Sequence, residues 1–254
     1  MKFAFAIFTF SITALAQTVI GPAQTGGRLQ DSHLERISVY SGTEDVLREL
    51  SRIMGGRAVF GVESLGGLEP HVSVSDSEAR FDTIVQEICR QDSRYKAVYG
   101  EDPRLINFVA AAPKSAGEKI LHFRLSHLDI TTDDWPLNIV PRLPEFSPEL
   151  QRYLAVQYRA AGGLDRVTGS AGIGMNTNVK PPHFELHLAN VTVREALNAI
   201  AVHSLDVSLA TGTDPRSIST PAEKRIFPTG WLLRVRDPGT LTLDAWVRTI
   251  FSAL

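Results

Sequence analysis

The sequence has a single cysteine, Cys89, and no long apolar stretch after its first sixteen residues. One cysteine cannot form an internal disulfide, which excludes a scaffold stabilised by disulfide bonds. An excess of one charge sign is also missing, because 26 Lys and Arg residues face 28 Asp and Glu residues and leave a formal net charge of −2. Proteins that bind nucleic acid by neutralising phosphates need many more basic residues, so we expect no nucleic-acid partner.

Glycine and proline are too few and too scattered for a collagen-like or low-complexity chain, with 19 and 14 residues respectively. Hydrophobic residues make up 43% and charged residues 21% of the sequence, which is typical of a globular protein and not of a disordered one.

Cys89 follows Ile84, Val85 and Ile88 in an apolar helical pattern. We therefore expect it to be a small packed side chain and not a nucleophile.

The N-terminus has the pattern of a secretory signal peptide. Lys2 supplies a positive charge, residues 3–15 are uncharged and apolar, and Ala14-Leu15-Ala16 matches a small-residue cleavage site. The apolar run of about 13 residues is shorter than the ~20 that cross a bilayer as a helix. We predict a cleaved signal over residues 1–16, a periplasmic or secreted product, and no transmembrane helix in the mature chain. An N-terminal anchor that is never cut is the alternative.

After a flexible leader predicted over residues 17–36, the first half of the chain predicts two capped helices. Ser41-Gly42-Thr43-Glu44 and Ser75-Asp76-Ser77-Glu78 both have the S-x-x-E pattern of a capping box. Apolar residues at helical spacing follow each box: Val46, Leu47, Leu50, Ile53 and Met54, then Phe81, Ile84, Val85 and Ile88. Short strands are predicted at 58–62 and 72–74, and a hairpin at 95–99 and 105–109.

The strand, cap and helix return in the second half of the chain. A strand is predicted over 183–188, and the T-x-x-E pattern from Thr192 to Glu195 begins a helix. The apolar stripe of that helix is Ala196, Leu197, Ile200 and Ala201. Further strands are predicted at 206–210 and 230–236, and an amphipathic helix over 243–254. The glycine-rich segment 162–180 lacks the G-K-[ST] ending of a phosphate loop and is expected to be a surface loop.

An internal match indicates duplication. His122-Phe123-Arg124-Leu125 aligns with His183-Phe184-Glu185-Leu186 at an offset of 61, and the agreement continues to Thr131 and Thr192. Prolines follow the first copy from Trp135 to Pro148, and a proline inside a helix costs ~3 kcal/mol, so the helix there should be short or displaced. A better helix begins with Ser147 as its N-cap and Pro148 at its first position.

This order of elements resembles a known family of envelope modules. The first capped helix, the strands, the second capped helix and the hairpin span Ile37 to Ala111 and resemble the short N-terminal (STN) domain shared by secretins and TonB-dependent receptors. Residues 191–200, VTVREALNAI, are similar to the most typical phrase of that family and of the related secretin N-domains. The resemblance implies periplasmic βα modules that bind proteins, peptides or glycan-associated partners without catalysis. No secretin barrel, receptor plug or series of outer-membrane strands follows the modules in this sequence.

One candidate metal site can be read from the sequence. His183, Glu185 and His187 lie at alternate positions of a predicted strand and therefore on one side of it, and His122 occupies the matching place in the other copy. Two histidines and a carboxylate are ligands for zinc or iron. The opposite face carries Phe184, Leu186 and Leu188, so the alternative is that the polar face is simply the solvated side of an amphipathic strand.

The sequence as a whole predicts an α+β fold made of two small modules, at residues 37–112 and 119–254, with one continuous domain as the alternative. The expected function is that of an exported binding protein which docks to envelope, secretion or transport components. A metal-dependent hydrolase that uses His183, Glu185 and His187 is the second hypothesis. Neither a catalytic residue nor a cofactor is otherwise predicted.

Overall fold

The computed structural model describes residues 28–54, 57–112, 116–134, 136–160, 183–210, 225–236 and 240–250. The predicted signal peptide, most of the predicted leader, the glycine-rich segment 162–180 and the last residues of the predicted C-terminal helix lie outside these ranges. The statements that follow concern the described residues.

The fold is α+β, as predicted. The first half consists of a 3₁₀ helix (Leu29–Asp31), β1 (His33–Gly42), α1 (Thr43–Met54), β2 (Val59–Ser64), β3 (His71–Arg80), α2 (Phe81–Gln91), β4 (Tyr95–Tyr99) and β5 (Leu105–Ala110). The second half consists of α3 (Ala116–Leu121), β6 (Arg124–Thr132), α4 (Pro136–Ile139), α5 (Leu143–Phe146), α6 (Pro148–Ala160), β7 (Phe184–Thr192), α7 (Val193–Ala210), β8 (Arg225–Arg236) and β9 (Thr240–Ile250).

These strands form two antiparallel ribbons and one larger sheet. β1 pairs with β3, β6 pairs with β7, and the five-stranded sheet has the order β4-β5-β2-β8-β9. Its central strand β2 is parallel to β5 on one side and to β8 on the other. Since β8 belongs to the second half, the two predicted modules share one sheet across their predicted boundary.

The central strands of the shared sheet, β5, β2 and the described part of β8, contribute residues to two apolar cores, one on each face. Phe60 and Leu232 belong to a core formed mainly by the first half, whereas Val59, Trp231 and Leu233 belong to a core formed mainly by the second half. Gly61 lies against the second core. A Cβ atom there would stand 2.5 Å from the Trp231 ring, so the close packing of Trp231 on β2 requires glycine at this position.

The predicted burial of the apolar faces of three helices is confirmed. The residues predicted to be buried in α1, α2 and α7 are all buried: Val46, Leu47, Leu50, Ile53, Met54, Phe81, Ile84, Val85, Ile88, Ala196, Leu197, Ile200 and Ala201. The predicted start of α6 is also confirmed, because the Leu150 N–H donates to Ser147 Oγ at 3.2 Å and Pro148 is the first helical residue.

Two of the three predicted capping boxes are wrong and the third is confirmed. Ser41 lies in β1, and the Glu44 N–H donates to Glu69 Oε2 at 3.3 Å and not to Ser41. Ser75 and Glu78 lie within β3, which continues to Arg80 because it pairs with β1 along its whole length. The N-cap of α2 is Arg80, whose side chain makes no capping bond. In α7 the box forms: the Thr192 N–H donates to Glu195 Oε2 at 2.6 Å, and the Glu195 N–H donates to Thr192 Oγ1 at 3.2 Å.

Three further predictions are corrected. Residues 206–210 continue α7 and do not form a strand. Residues 243–250 lie in β9 and not in a helix, because pairing with β8 satisfies their backbone groups as a strand. The leader was predicted to extend to residue 36, but Leu29 is buried and β1 begins at His33, where it pairs with Arg80.

The structure also shows a repeat that the sequence match did not reveal. The two matched segments, β6 and β7, pair with each other in one ribbon, with Leu128 opposite Leu188. Each ribbon then leads into a helix in the same way. The Phe81 N–H donates to the Ser32 carbonyl at 2.8 Å, and the Val193 N–H donates to the Phe123 carbonyl at 2.9 Å. Both acceptors immediately precede the first strand of their ribbon, so the two halves share this local construction.

Candidate functional site

At Ser73, the outer edge of β3 is covered by a glutamine side chain. Gln91, at the end of α2, accepts a 2.8 Å hydrogen bond from the Ser73 N–H and donates one of 2.7 Å to the Ser73 carbonyl. A side-chain amide offers the same donor and acceptor as a peptide group, so Gln91 takes the place of a neighbouring strand. An unpaired strand edge is a template for pairing with other chains, and this one is occupied.

The outer edge of β6 is closed in the same manner by a carboxylate. Glu149, in the first turn of α6, accepts hydrogen bonds from the Ser126 N–H at 2.6 Å and from the His127 N–H at 3.3 Å. The Ser126 hydroxyl also donates to Glu149 at 3.1 Å. In each ribbon, therefore, a helix side chain covers the edge of one strand.

In the described part of the chain, no strand pairs with the outer edge of β1 at its centre. Tyr40 lies directly opposite Ser73, whose backbone groups point away from β1 toward Gln91. Directly opposed residues of an antiparallel pair either exchange both backbone hydrogen bonds or neither, so the N–H and C=O of Tyr40 also point outward. The same alternation applies to Ser38. Among the described residues, no backbone group of another element bonds to β1 at Ser38 or Tyr40.

An exposed aromatic side chain accompanies this open edge. Tyr40 is 61% exposed and stacks on the imidazole of His71, with ring centroids 5.1 Å apart and planes inclined by 13°. The surrounding outer face is polar and uncharged, with exposed Ser38, Ser73 and Ser75, whereas Ile37, Val72 and Val74 are buried on the other side. We define the open β1 edge as the backbone of Ser38 and Tyr40 together with the stacked pair Tyr40 and His71.

A polar cluster fixes the end of β1 and the loop beside it. The Thr43 hydroxyl donates to Asp92 at 2.6 Å, and Arg94 donates to both oxygens of the same carboxylate at 2.8 Å. Burial raises the pKa of Asp92, but the bonds from Arg94 and Thr43 outweigh it and leave the pKa below its ordinary value. Arg94 also donates to the carbonyl of Gly66, in the loop that follows β2.

The predicted metal ligands lie on the exposed face of the second ribbon, where the structure adds three partners from the neighbouring strand. These six side chains alternate between imidazole and carboxylate, and we call them the His/acid ladder. In order of contact they are His127, Asp129, His187, Glu185, His183 and Asp133.

Contacts within the ladder are short. His187 Nδ1 lies 2.7 Å from Asp129 and its Nε2 lies 3.0 Å from Glu185, while His183 Nδ1 lies 2.8 Å from Asp133. Asp129 also contacts His127. The carboxylates of Glu185 and Asp129 raise the pKa of His187, and His187 in turn lowers the pKa of both carboxylates.

The ladder is a line of paired groups and not a convergent site. Within the described ranges, no three His, Cys, Asp or Glu side chains are placed so that they could hold a metal ion. Both ring nitrogens of His187 contact carboxylates, and His122 lies apart from the ladder, with Nε2 3.6 Å from Glu118. This arrangement gives the metal-dependent hydrolase no support.

The three added ladder residues lie on or just beyond β6, so the alternation within β7 gives no signal for them. His127, Asp129 and Asp133 alternate along and just beyond β6 as the predicted ligands do along β7.

Cys89 is partly buried among the residues of the first core, and burial raises the pKa of its thiol.

Comparison of the chain with protein-family models, with curated proteins and with solved structures gave no match. In the described part of the chain, no helix has both the length and the apolar character needed to cross a membrane.

Proposed function

We propose that this chain is an exported binding protein which docks to an envelope, secretion or transport component through the open β1 edge. The bound segment would be extended and would add a third strand to the β1–β3 ribbon. In this mode, main-chain hydrogen bonds supply affinity and alternate side chains supply specificity.

The observation that carries the proposal is the contrast between the edges of the ribbons. Gln91 covers the edge of β3 at Ser73 and Glu149 covers the edge of β6 at Ser126, while Ser38 and Tyr40 present outward backbone groups on β1. Soluble proteins protect strand edges against unwanted pairing. An edge that stays open on a ribbon whose other edge is partly covered is therefore a natural place for a chosen partner.

Tyr40 adds a side-chain contact to this edge. Tyrosine is enriched among the residues that contribute most to binding at protein interfaces, and stacking on His71 holds its ring in one orientation. A ring that is already ordered loses little rotamer freedom when a partner covers it. The uncharged serines around it favour a partner recognised by backbone pairing and an apolar contact over one recognised by charge.

The proposed location of the protein in the cell envelope is supported by the sequence. Residues 1–16 have the pattern of a signal peptide, and the order of strands and helices from Ile37 to Ala111 resembles the STN domain. Modules of that kind bind other envelope proteins, which is the class of partner proposed here.

A photocrosslinking experiment tests the proposal. A benzophenone amino acid at position 40 should form one discrete adduct with an envelope protein, and Ser38→Pro should abolish it because proline removes an outward N–H. The same photoreactive residue at Val156, on α6, is the matched control because Val156 is also 61% exposed. Equal adducts from both positions, or an adduct from position 40 that persists with Ser38→Pro, would refute docking at this edge. Circular dichroism of the Ser38→Pro variant verifies that it is folded.

A further inference from the structure

We propose that the His/acid ladder is a pH-responsive clasp, which holds β6 and β7 together when its histidines are protonated and loosens the ribbon when they are neutral. The clasp lies on the second ribbon and the open β1 edge on the first, so this proposal does not depend on the proposed function.

The positions of the six groups carry the proposal. Asp129 and His187 are directly opposed across the ribbon, and His183 contacts Asp133 across its end. Glu185 lies beside His187 on β7 and 4.0 Å from His183 Nε2, and so connects the two cross-strand pairs. Each imidazole thus contacts at least one carboxylate, and two of these contacts connect a residue on or next to β6 with a residue on or next to β7.

Protonation of all three ladder histidines changes the net charge on the exposed face of the β6–β7 ribbon by three. With all three histidines protonated, their charges balance those of Asp129, Asp133 and Glu185. With the histidines neutral, three carboxylates remain on one face of a two-stranded ribbon. Opposite charges across an antiparallel pair stabilise it and like charges destabilise it. Glu149 of α6, bonded to the His127 N–H, adds a further negative charge near one end.

A two-stranded ribbon is sensitive to such a change because each of its strands has only one strand neighbour. The first ribbon provides an internal reference, because neither of its exposed histidines, His33 and His71, forms an ion pair with a described carboxylate, and His71 stacks on Tyr40. A pH effect that belongs to the ladder should therefore appear in the second ribbon and not in the first.

Hydrogen exchange measured at pH 6 and pH 8 tests the clasp. Protection factors, which correct for the pH dependence of chemical exchange, are compared for the β6–β7 and β1–β3 amides. We expect protection in β6–β7 to fall about threefold or more from pH 6 to pH 8, relative to β1–β3, given the usual strength of cross-strand charge pairs.

A triple variant provides the control. His127→Gln, His183→Gln and His187→Gln change exposed side chains, and the combined variant should lose the pH dependence while keeping the fold. Equal relative protection at both pH values in the unmodified chain, or the same fall in the triple variant, would overturn the proposal.

Discussion

Arg234 and Glu44 join the two halves of the chain. Arg234, on β8, donates a 2.7 Å hydrogen bond to Glu44, in the first turn of α1, and the two residues are 190 positions apart. The Glu44 side chain is only 8% exposed. Burial raises the pKa of Glu44, but hydrogen bonds from Arg234 and Ser64 outweigh it and keep the pKa below its ordinary value.

Removing this arginine should destabilise the whole chain. Arg234→Ala leaves the Glu44 carboxylate buried without its cationic partner, which costs 3–5 kcal/mol in a fully buried pair. Because the Arg234 side chain is 26% exposed, we expect a loss of about 2–3 kcal/mol in the free energy of unfolding, measured with urea. Arg48→Ala, which removes the exposed partner of Asp45 on the same helix, should cost less than about 1 kcal/mol. Equal losses in the two variants would contradict this role of Arg234.

Two residues that look alike as N-caps in the sequence should respond differently to mutation. Thr192→Ala removes a formed capping box and should lower the free energy of unfolding by about 1 kcal/mol. Ser75→Ala changes an exposed strand residue and should alter it by less than about 0.5 kcal/mol. Chemical denaturation of both variants under the same conditions measures the difference. A loss at Ser75 as large as that at Thr192 would mean that the S-x-x-E pattern does cap α2.

Helix faces could be predicted from this sequence more reliably than helix starts. The apolar stripes of α1, α2 and α7 depend on spacing within one helix, and they were predicted correctly. The start of α2 was not, because β3 continues to Arg80 through its pairing with β1, some forty residues earlier in the chain. A capping motif is a local signal, and a long-range strand pairing outweighed it.

Only the half of the ladder that lies along a single strand could be predicted from the sequence. His183, Glu185 and His187 share a face through the alternation of one strand, which is visible in the sequence. Asp129 joins them only through the antiparallel register of β6 and β7, which places it opposite His187 and cannot be inferred from either strand alone. The closed edges were not predictable at all, since nothing in the sequence assigns Gln91 to the backbone of Ser73.

Opening the closed β3 edge should promote self-association. Gln91→Ala leaves the outward N–H and C=O of Ser73 without their side-chain partner, and an unpaired edge recruits further strands. We expect light scattering after size-exclusion chromatography to show dimers or larger species at protein concentrations where the wild type stays at lower mass. Gln86→Ala, on the same helix, removes only a hydrogen bond to Asp82 and should leave the mass unchanged. The role of Gln91 would be refuted if both variants kept the wild-type mass.

The contribution of His187 to stability should depend on pH in a defined direction. Glu185 and Asp129 raise the pKa of His187 in the folded chain. A histidine whose pKa is raised by folding stabilises the folded chain at pH values below its pKa in the unfolded chain, which is about 6.5. This contribution disappears as the pH rises through the pKa of the folded chain. The pKa values of Asp129 and Glu185 are lowered by His187, so their contribution exists above about pH 4 and is lost in more acidic solution.

The two titrations together predict a stability maximum for this contact. The difference in unfolding free energy between the wild type and His187→Gln should be largest near about pH 5–6 and should shrink toward both pH 3 and pH 8. His122→Gln is the matched control, because both histidine side chains are 56% exposed but His122 lies outside the ladder. Urea unfolding across this pH range measures both differences. A difference for His187 that stays constant with pH, or one that follows the His122 control, would show that the ladder contact does not stabilise the folded chain.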